Sequence, residues 1–175
     1  MTAHLAALTG RAPADVAIRR DAAGRPFLDP PGPDFSVSHS GDVLLVAVAA
    51  GEGRVGADVE RLRQRPRMER MAEARFPPPV AAAIRAARDE RERLARFYAF
   101  WTAYEAFAKA LGTGLALDPR RLDVTPAGDD GALSLSHPTA GKGPWTGRHL
   151  PLDGALACVV AAAPRCAVRR HKNGA

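Results

Sequence analysis

The chain has 175 residues, 46% of them hydrophobic, and a formal net charge of +6 at pH 7. This length allows one domain with a sizeable core. No apolar run approaches the length of a membrane span and the N-terminus is no convincing signal peptide, so we expect a cytoplasmic protein with no membrane partner. The two cysteines exclude a disulfide framework and a CxxC metal site.

The excess of positive charge comes far more from arginine than from lysine. It favours anionic partners, such as nucleotides or an acidic protein surface. No basic run is interleaved with aromatic residues, which is the pattern of a nucleic-acid platform, so we expect no nucleic-acid partner.

The first third of the sequence is typical of short strands joined by turns. We predict the end of a helix at residues 4–8 and strands at 16–20, 35–39, 43–49 and 55–60. A loop rich in Pro and Gly, residues 29–34, is too short to separate two domains. The stretch from residue 35 to residue 60 is therefore predicted to be a β-meander.

The last of these strands carries two acids. Apolar residues alternate with Asp58 and Glu60, so both carboxylates lie on one face of the strand. Their Cα atoms are then roughly 6.5–7 Å apart, and their side chains can converge on one cation. A hard divalent ion that takes carboxylates and substrate phosphates is magnesium. Taken alone, such a pair is more often a surface feature.

The middle of the chain is dense in charge, and strands follow it. We predict a helix at 68–75, a break at three prolines, a second helix from Val80 and a solvated helix face at 85–96. Further strands are predicted at 121–124, 132–136, 145–150 and 155–162. Residues 164–175 are predicted to be a polar, basic tail.

Within the stretch of residues 96–115 a long helix is predicted, which ends at Gly112. Glu105 follows Trp101 on a stripe that should avoid water, and a buried carboxylate needs a base or a metal as its partner. Lys109 lies one turn later, where it can meet the same partner or form an ordinary helix-stabilising pair with Glu105. The helix carries two apolar stripes, one of Phe97, Phe100, Tyr104, Phe107 and Leu111 and one of Leu94, Tyr98, Trp101, Glu105 and Ala108.

Four motifs, in this order, carry a resemblance to a known family. They are GRP at 24–26, FSVSHSG at 35–41, GADVE at 56–60 and WTAYEAFAKALGTGL at 101–115. Together they resemble the 4′-phosphopantetheinyl transferase superfamily, in the surfactin-synthetase-activating type with Trp before the helix motif and Glu-Ala within it. The resemblance extends from Leu5 to Ala162.

The resemblance implies an α+β fold of two pseudo-symmetric lobes, each an antiparallel sheet packed on a long helix. It implies a single domain at residues 1–163, with a truncated N-terminal lobe at about 1–55 and a C-terminal lobe at about 56–163. Residues 164–175 would be a flexible tail. The short N-terminal lobe reflects a misassigned start, a trimmed chain, or a compact variant that completes its lobe in a homodimer.

The resemblance also implies a reaction. Such enzymes transfer the 4′-phosphopantetheine arm of coenzyme A to a serine of an acyl or peptidyl carrier protein and release 3′,5′-ADP. It assigns Asp58, Glu60 and Glu105 as Mg²⁺ ligands, Glu105 or Lys109 as the catalytic base, and Arg25, Ser38, His39 and Lys109 as coenzyme A-binding residues.

Two further points follow from the same resemblance. The segment from Gly112 to about Leu117 lies near the carrier-protein contact, and carrier proteins are usually acidic, in agreement with the positive net charge. Tyr104 stands where the family usually has Lys; its simplest role is to pack in the core with its hydroxyl pointing outward. The alternative function is a weakened homologue that binds coenzyme A or a carrier protein without efficient turnover.

Overall fold

The computed structural model describes residues 2–22, 24–49, 51–141 and 143–163. The predicted tail at 164–175 lies outside these residues. The helices within them are α1 (Thr2–Thr9), α2 (Met68–Arg75), α3 (Pro78–Arg85) and α4 (Glu90–Leu111). The strands are β1 (Ala17–Arg20), β2 (Pro26–Asp29), β3 (Phe35–Ser40), β4 (Val43–Val48), β5 (Val55–Arg61), β6 (Asp123–Pro126), β7 (Ala132–Ser136), β8 (Trp145–Leu152) and β9 (Ala155–Ala161).

The strands form three antiparallel sheets. β1 pairs with β2 and β3 with β4 as two hairpins, while the third sheet has the order β5-β9-β8-β7-β6. In that sheet β5 lies at one edge and pairs with β9 from Val55 opposite Ala161 to Arg61 opposite Ala155. The predicted α+β class with antiparallel sheets is confirmed. The predicted division into lobes and the domain bounds stay predictions.

The helices of the N-terminal and C-terminal halves of the chain differ in length. The helix of the N-terminal half, α1, has eight residues, whereas α4 has 22. A small core of Leu5, Val16, Leu28 and Phe35 joins α1 to the hairpins. Within the described ranges, no helix has the length and apolar character that crossing a membrane requires.

Helix α4 begins earlier than predicted and ends where predicted. The Asp89 carboxylate caps its start by accepting a hydrogen bond from the amide of Glu92 at 2.8 Å. The helix therefore starts at Glu90 and not at the predicted Arg96, and residues 85–96 do not form the single helix face that was expected. Gly112, with φ of 74°, ends the helix in the left-handed conformation that glycine adopts without strain.

Most of the two predicted stripes of α4 lies in the core. Phe97 and Tyr98 are fully buried, whereas Trp101 and Glu105 are half-buried. The main core consists of α4 side chains packed with residues of α2, α3 and the inner face of the five-stranded sheet. Glu105 therefore sits at the boundary of this core rather than deep inside it.

The backbones of α4 and β5 approach closely at Gly56. A β-carbon built there would overlap the carbonyl oxygen of Ala106 and lie 2.5 Å from the amide nitrogen of Ala110. Only glycine fits between this strand and this helix. The contact fixes the height of α4 above the strand that carries Asp58 and Glu60.

We predict that Gly56→Ala lowers the free energy of unfolding by about 1–3 kcal/mol or more, because overpacking a well-packed core usually has an effect of this size. Thermal or urea unfolding measures this change. Gly51→Ala is the matched control, because a β-carbon there meets nothing within 4 Å. Equal stability of the two variants would contradict the close approach.

Strand β3 is joined to β5 by side chains instead of backbone groups. Alternate residues from position 34 to position 40 accept hydrogen bonds from alternate backbone N–H groups of β5. We call these four residues the side-chain ladder. Its hydrogen bonds run from Val55 to Asp34 Oδ2 (2.7 Å), from Ala57 to Ser36 Oγ (3.0 Å), from Val59 to Ser38 Oγ (3.3 Å) and from Arg61 to Ser40 Oγ (3.0 Å).

We predict that Ser36→Ala lowers the free energy of unfolding by about 1–3 kcal/mol, because it leaves the buried Ala57 N–H without its acceptor. Ser36 is 5% exposed, so water cannot readily replace the hydroxyl. Urea unfolding tests this prediction, with the exposed Ser134→Ala on β7 as control. A loss no larger than that of the control would show that the ladder contributes little.

Candidate active site

Asp58 lies on β5 with one carboxylate oxygen fully used and the other without a partner. Oδ1 accepts hydrogen bonds from Lys109 Nζ and from Ser38 Oγ, both at 2.8 Å. Oδ2 is buried and has no hydrogen-bond partner among the described residues. Burial raises the pKa of Asp58 above its usual value, and the nearby Lys109 ammonium opposes part of that shift.

Glu60 follows on the same face of β5 and is held by three donors. Its Oε1 accepts from Arg65 Nη2 at 2.6 Å and from Trp101 Nε1 at 3.2 Å. Its Oε2 accepts from Ser40 Oγ at 3.1 Å. The second carboxylate of the predicted pair is therefore fixed in orientation.

Glu105 reaches the same region from α4. Desolvation raises the pKa of its carboxyl, and the negative charge of Asp58 raises it further, with a smaller contribution from Glu60. The Lys109 ammonium acts in the opposite direction. Asp58 and Glu60 on β5 and Glu105 on α4, the three acids that the sequence singled out, therefore act on one another through their charges.

Lys109 links the helix to the strand. Its Nζ donates to the Ala57 carbonyl oxygen at 3.1 Å as well as to Asp58. One third of its side chain is exposed, against 9% for the Asp58 side chain. The ammonium is therefore ion-paired on one side and open to solvent on the other, where an anionic group of a substrate can approach.

The donor set fits a hard divalent cation, although no three His, Cys, Asp or Glu side chains of the described residues are gathered as a ready metal cluster. Lys109 and Arg65 instead neutralise Asp58 and Glu60. The fit rests on the buried Asp58 Oδ2, which has no hydrogen-bond partner among the described residues, and on the carboxylate chemistry of all three acids. Carboxylate oxygens are the ligands that magnesium prefers.

A model of the 4′-phosphopantetheinyl transferase superfamily matches residues 54–161, which is more than half of the chain. The chain belongs to this superfamily. The match contains β5, α4 and all three acids. The branch within the superfamily stays a prediction.

Relatives of known name agree with this membership. A L-aminoadipate-semialdehyde dehydrogenase-phosphopantetheinyl transferase of Eremothecium gossypii is 38% identical over 66% of this chain and 44% of its own length. The 4′-phosphopantetheinyl transferase AcpT of Salmonella typhi is 40% identical over 45% of this chain and 40% of its own length. A phosphopantetheinyl transferase of Thraustochytrium is 29% identical over 90% of this chain and 62% of its own length. The chain thus spans less than two thirds of each of these relatives.

Arg25, predicted from the superfamily motif to bind coenzyme A, makes contacts inside the protein. Its guanidinium donates to Asp34 Oδ2 at 2.5 Å, to the Val55 carbonyl oxygen at 3.0 Å and to the Lys109 carbonyl oxygen. Its side chain is 9% exposed. In this arrangement Arg25 fastens the N-terminal half to the C-terminal end of α4, and its role toward coenzyme A stays a prediction.

Ser38 and His39, predicted to bind coenzyme A together, point in different directions. Neighbouring residues of a strand face opposite sides. Ser38 is therefore buried against Asp58, while His39 is exposed on the other side of β3. The structure joins Ser38 to the carboxylates but leaves His39 apart from them.

Tyr104, the departure from the usual Lys of the superfamily, packs in the core as predicted. It is 2% exposed. Its hydroxyl does not point outward but donates to the Leu117 carbonyl oxygen at 3.0 Å. Desolvation raises the pKa of this phenol, and the negative charge of Glu105 adds to the shift. Tyr104 thereby fixes the segment after α4, predicted to lie near the carrier-protein contact.

Sequence reasoning missed three contributors to the site. Ser36 and Ser40 belong to the side-chain ladder, and the alternation of serine along β3 was a visible signal for it. Arg65, which binds Glu60, lies in the charge-dense middle of the chain, for which no site role was predicted. Nothing in its spacing distinguished it from its neighbours.

We predict that Glu105→Gln raises the melting temperature in EDTA at pH 7–8 by about 2–4 °C, the shift that about 1 kcal/mol produces in a chain of this size. A raised folded-state pKa means that stability is lost as the pH rises from the unfolded value through the folded value. Glutamine removes that loss, so the difference should vanish below about pH 4, where the carboxyl is protonated.

Scanning calorimetry across pH measures this difference. Glu90→Gln is the control, because Glu90 is exposed on the first turn of the same helix. A melting temperature that falls in Glu105→Gln at pH 7–8 would show that the carboxylate stabilises the apo protein, against this prediction.

Proposed function

We propose that this chain transfers the 4′-phosphopantetheine arm of coenzyme A to a serine of an acyl or peptidyl carrier protein and releases 3′,5′-ADP. The observation that carries the proposal is the buried Oδ2 of Asp58, which has no hydrogen-bond partner among the described residues, on a carboxylate that pairs with Lys109 and acts on Glu105 in a member of this superfamily. The positive net charge suits an acidic carrier protein. A cytoplasmic location belongs to the same proposal.

Asp58, Glu60 and Glu105 would hold a magnesium ion. When bound, the ion supplies positive charge that offsets the pyrophosphate oxygens during phosphoryl transfer. Asp58 would offer Oδ2, since Oδ1 is used by Lys109 and Ser38. Glu60 would offer Oε2, since Oε1 is used by Arg65 and Trp101.

The reaction forms a bond between the serine oxygen and the β-phosphorus of coenzyme A and breaks the bond from that phosphorus to the departing 3′,5′-ADP. Lys109 is paired with Asp58 and acts as a cation, so it suits the phosphate and the leaving group. With Lys109 committed to the phosphate, the Glu105 carboxylate is the remaining candidate for the general base. We assign it to accept the serine proton.

A catalytic role explains the site better than a binding-only role. A protein that only binds coenzyme A has no need of a desolvated carboxylate that repels two others. Such repulsion destabilises the folded chain unless a cation or a proton relieves it. Because all three acids are present, the described residues favour the enzyme.

We predict that the transfer depends on metal. Its rate should fall by at least about 100-fold in Asp58→Asn, Glu105→Gln or Lys109→Met, since each removes charge stabilisation worth several kcal/mol. Mass spectrometry measures the phosphopantetheine added to a panel of apo carrier proteins, with coenzyme A and magnesium or with EDTA. Glu90→Gln serves as the control and should keep full activity. Transfer by Glu105→Gln at the wild-type rate would refute the site assignment.

A further inference from the structure

The Glu60 carboxylate is held more completely than the other two acids. An ionised carboxylate has about four acceptor positions, two on each oxygen. On Glu60, the two positions of Oε1 are filled by Arg65 and Trp101, and one position of Oε2 by Ser40. One position on Oε2 is left, and its direction is set by the other three contacts.

Arg65 is itself fixed in place. Its guanidinium carbon lies 5.6 Å from the centre of the Tyr98 ring and 5.8 Å from the centre of the Trp101 ring. Its Nε donates to the Tyr98 hydroxyl at 3.2 Å. That hydroxyl donates in turn to the Arg63 carbonyl oxygen at 2.8 Å, and Tyr98 is fully buried. A planar guanidinium packed against two rings loses little freedom when it binds a carboxylate.

These contacts tie the segment after β5 to α4, both directly and by way of the Glu60 carboxylate. Arg65 lies on that segment, between β5 and α2, while Tyr98 and Trp101 are on α4. The side chains of Glu60 and Arg65 are 16% and 28% exposed, so water screens their ion pair only partly. The pair is therefore stronger than an ordinary surface ion pair.

We propose that Arg65 and Trp101 are positioning residues that aim Glu60 Oε2 at the magnesium ion. This inference rests on the proposed function, and neither residue is one of the three assigned metal ligands. Partners that hold a metal ligand in orientation commonly change metal affinity 10–100-fold when they are removed. A guanidinium that only competes with the ion for Glu60 would have the opposite effect, because its removal would strengthen magnesium binding. The sign of the change separates the two roles.

The test is the magnesium affinity of the whole chain, measured without turnover. The chain has two tryptophans, so in Trp145→Phe the emission reports Trp101 alone. Trp145 packs against Phe107 in the core, away from Glu60. Magnesium chloride is titrated into this variant, with and without coenzyme A, and both the Trp101 emission and the heat of binding are recorded.

Arg65→Gln in this background should raise the magnesium dissociation constant at least about tenfold, and Arg65→Lys should raise it less because it keeps the charge. Trp101→Phe, followed by heat alone, should weaken binding by a smaller factor. Arg85→Gln is the matched control, since Arg85 forms an exposed ion pair with Glu73. Thermal unfolding checks each variant, and Arg65→Lys decides the matter if Arg65→Gln does not fold.

The outcomes are distinct. Weaker binding in folded Arg65 variants, with a saturable change in Trp101 emission in the parent, supports the positioning role. Binding as tight as in the parent, or tighter, overturns it and leaves the proposed transferase function standing. If the parent binds no magnesium in either arm, the metal site and the positioning role fail together.

Discussion

The close approach of α4 to β5 at Gly56 is the constraint on which the site depends. Because the strand has no side chain there, the helix backbone comes within direct contact of the strand backbone. Glu105 and Lys109, on the turns flanking this contact, are thereby brought to Asp58, the next inward-facing residue of β5. A larger residue at position 56 would lift the helix and separate the acids, even if each element kept its own conformation.

The side-chain ladder adds neutral donors that orient the strand acids, beside the ion pairs that Asp58 and Glu60 form with Lys109 and Arg65. Each hydroxyl can accept and donate at once. Ser38 accepts from the backbone of β5 and donates to Asp58, and Ser40 does the same with Glu60. A neutral donor fixes a carboxylate while leaving its charge for a cation. The same four residues join the two halves of the chain, so the interface between the halves also contains the residues that orient the acids of the site.

Local pattern predicted the elements well, and long-range contacts explain what it missed. Alternation and helical periodicity gave β3, β5 and the end of α4 at Gly112, because each depends on neighbours within a few residues. The meeting of Glu105 with Asp58 depends on packing across 47 positions, and only the superfamily resemblance predicted it. Arg65 looked like its exposed neighbours, since its role comes from two rings of α4 that no spacing near residue 65 reveals.

The positive charges of the site compensate two of its three carboxylates and leave Glu105 uncompensated. Lys109 compensates Asp58 and Arg65 compensates Glu60, yet Glu105 remains desolvated beside both acids, with its pKa raised. Each ammonium or guanidinium occupies only one oxygen of its partner. Protonation of Glu105 relieves the repulsion at low pH, whereas at neutral pH the divalent cation of the proposed function would relieve it by binding the carboxylate oxygens that the protein leaves without partners. Under that proposal, binding of the ion would recover the folding free energy that the repulsion costs, and the stability of the chain would depend on the occupancy of its site.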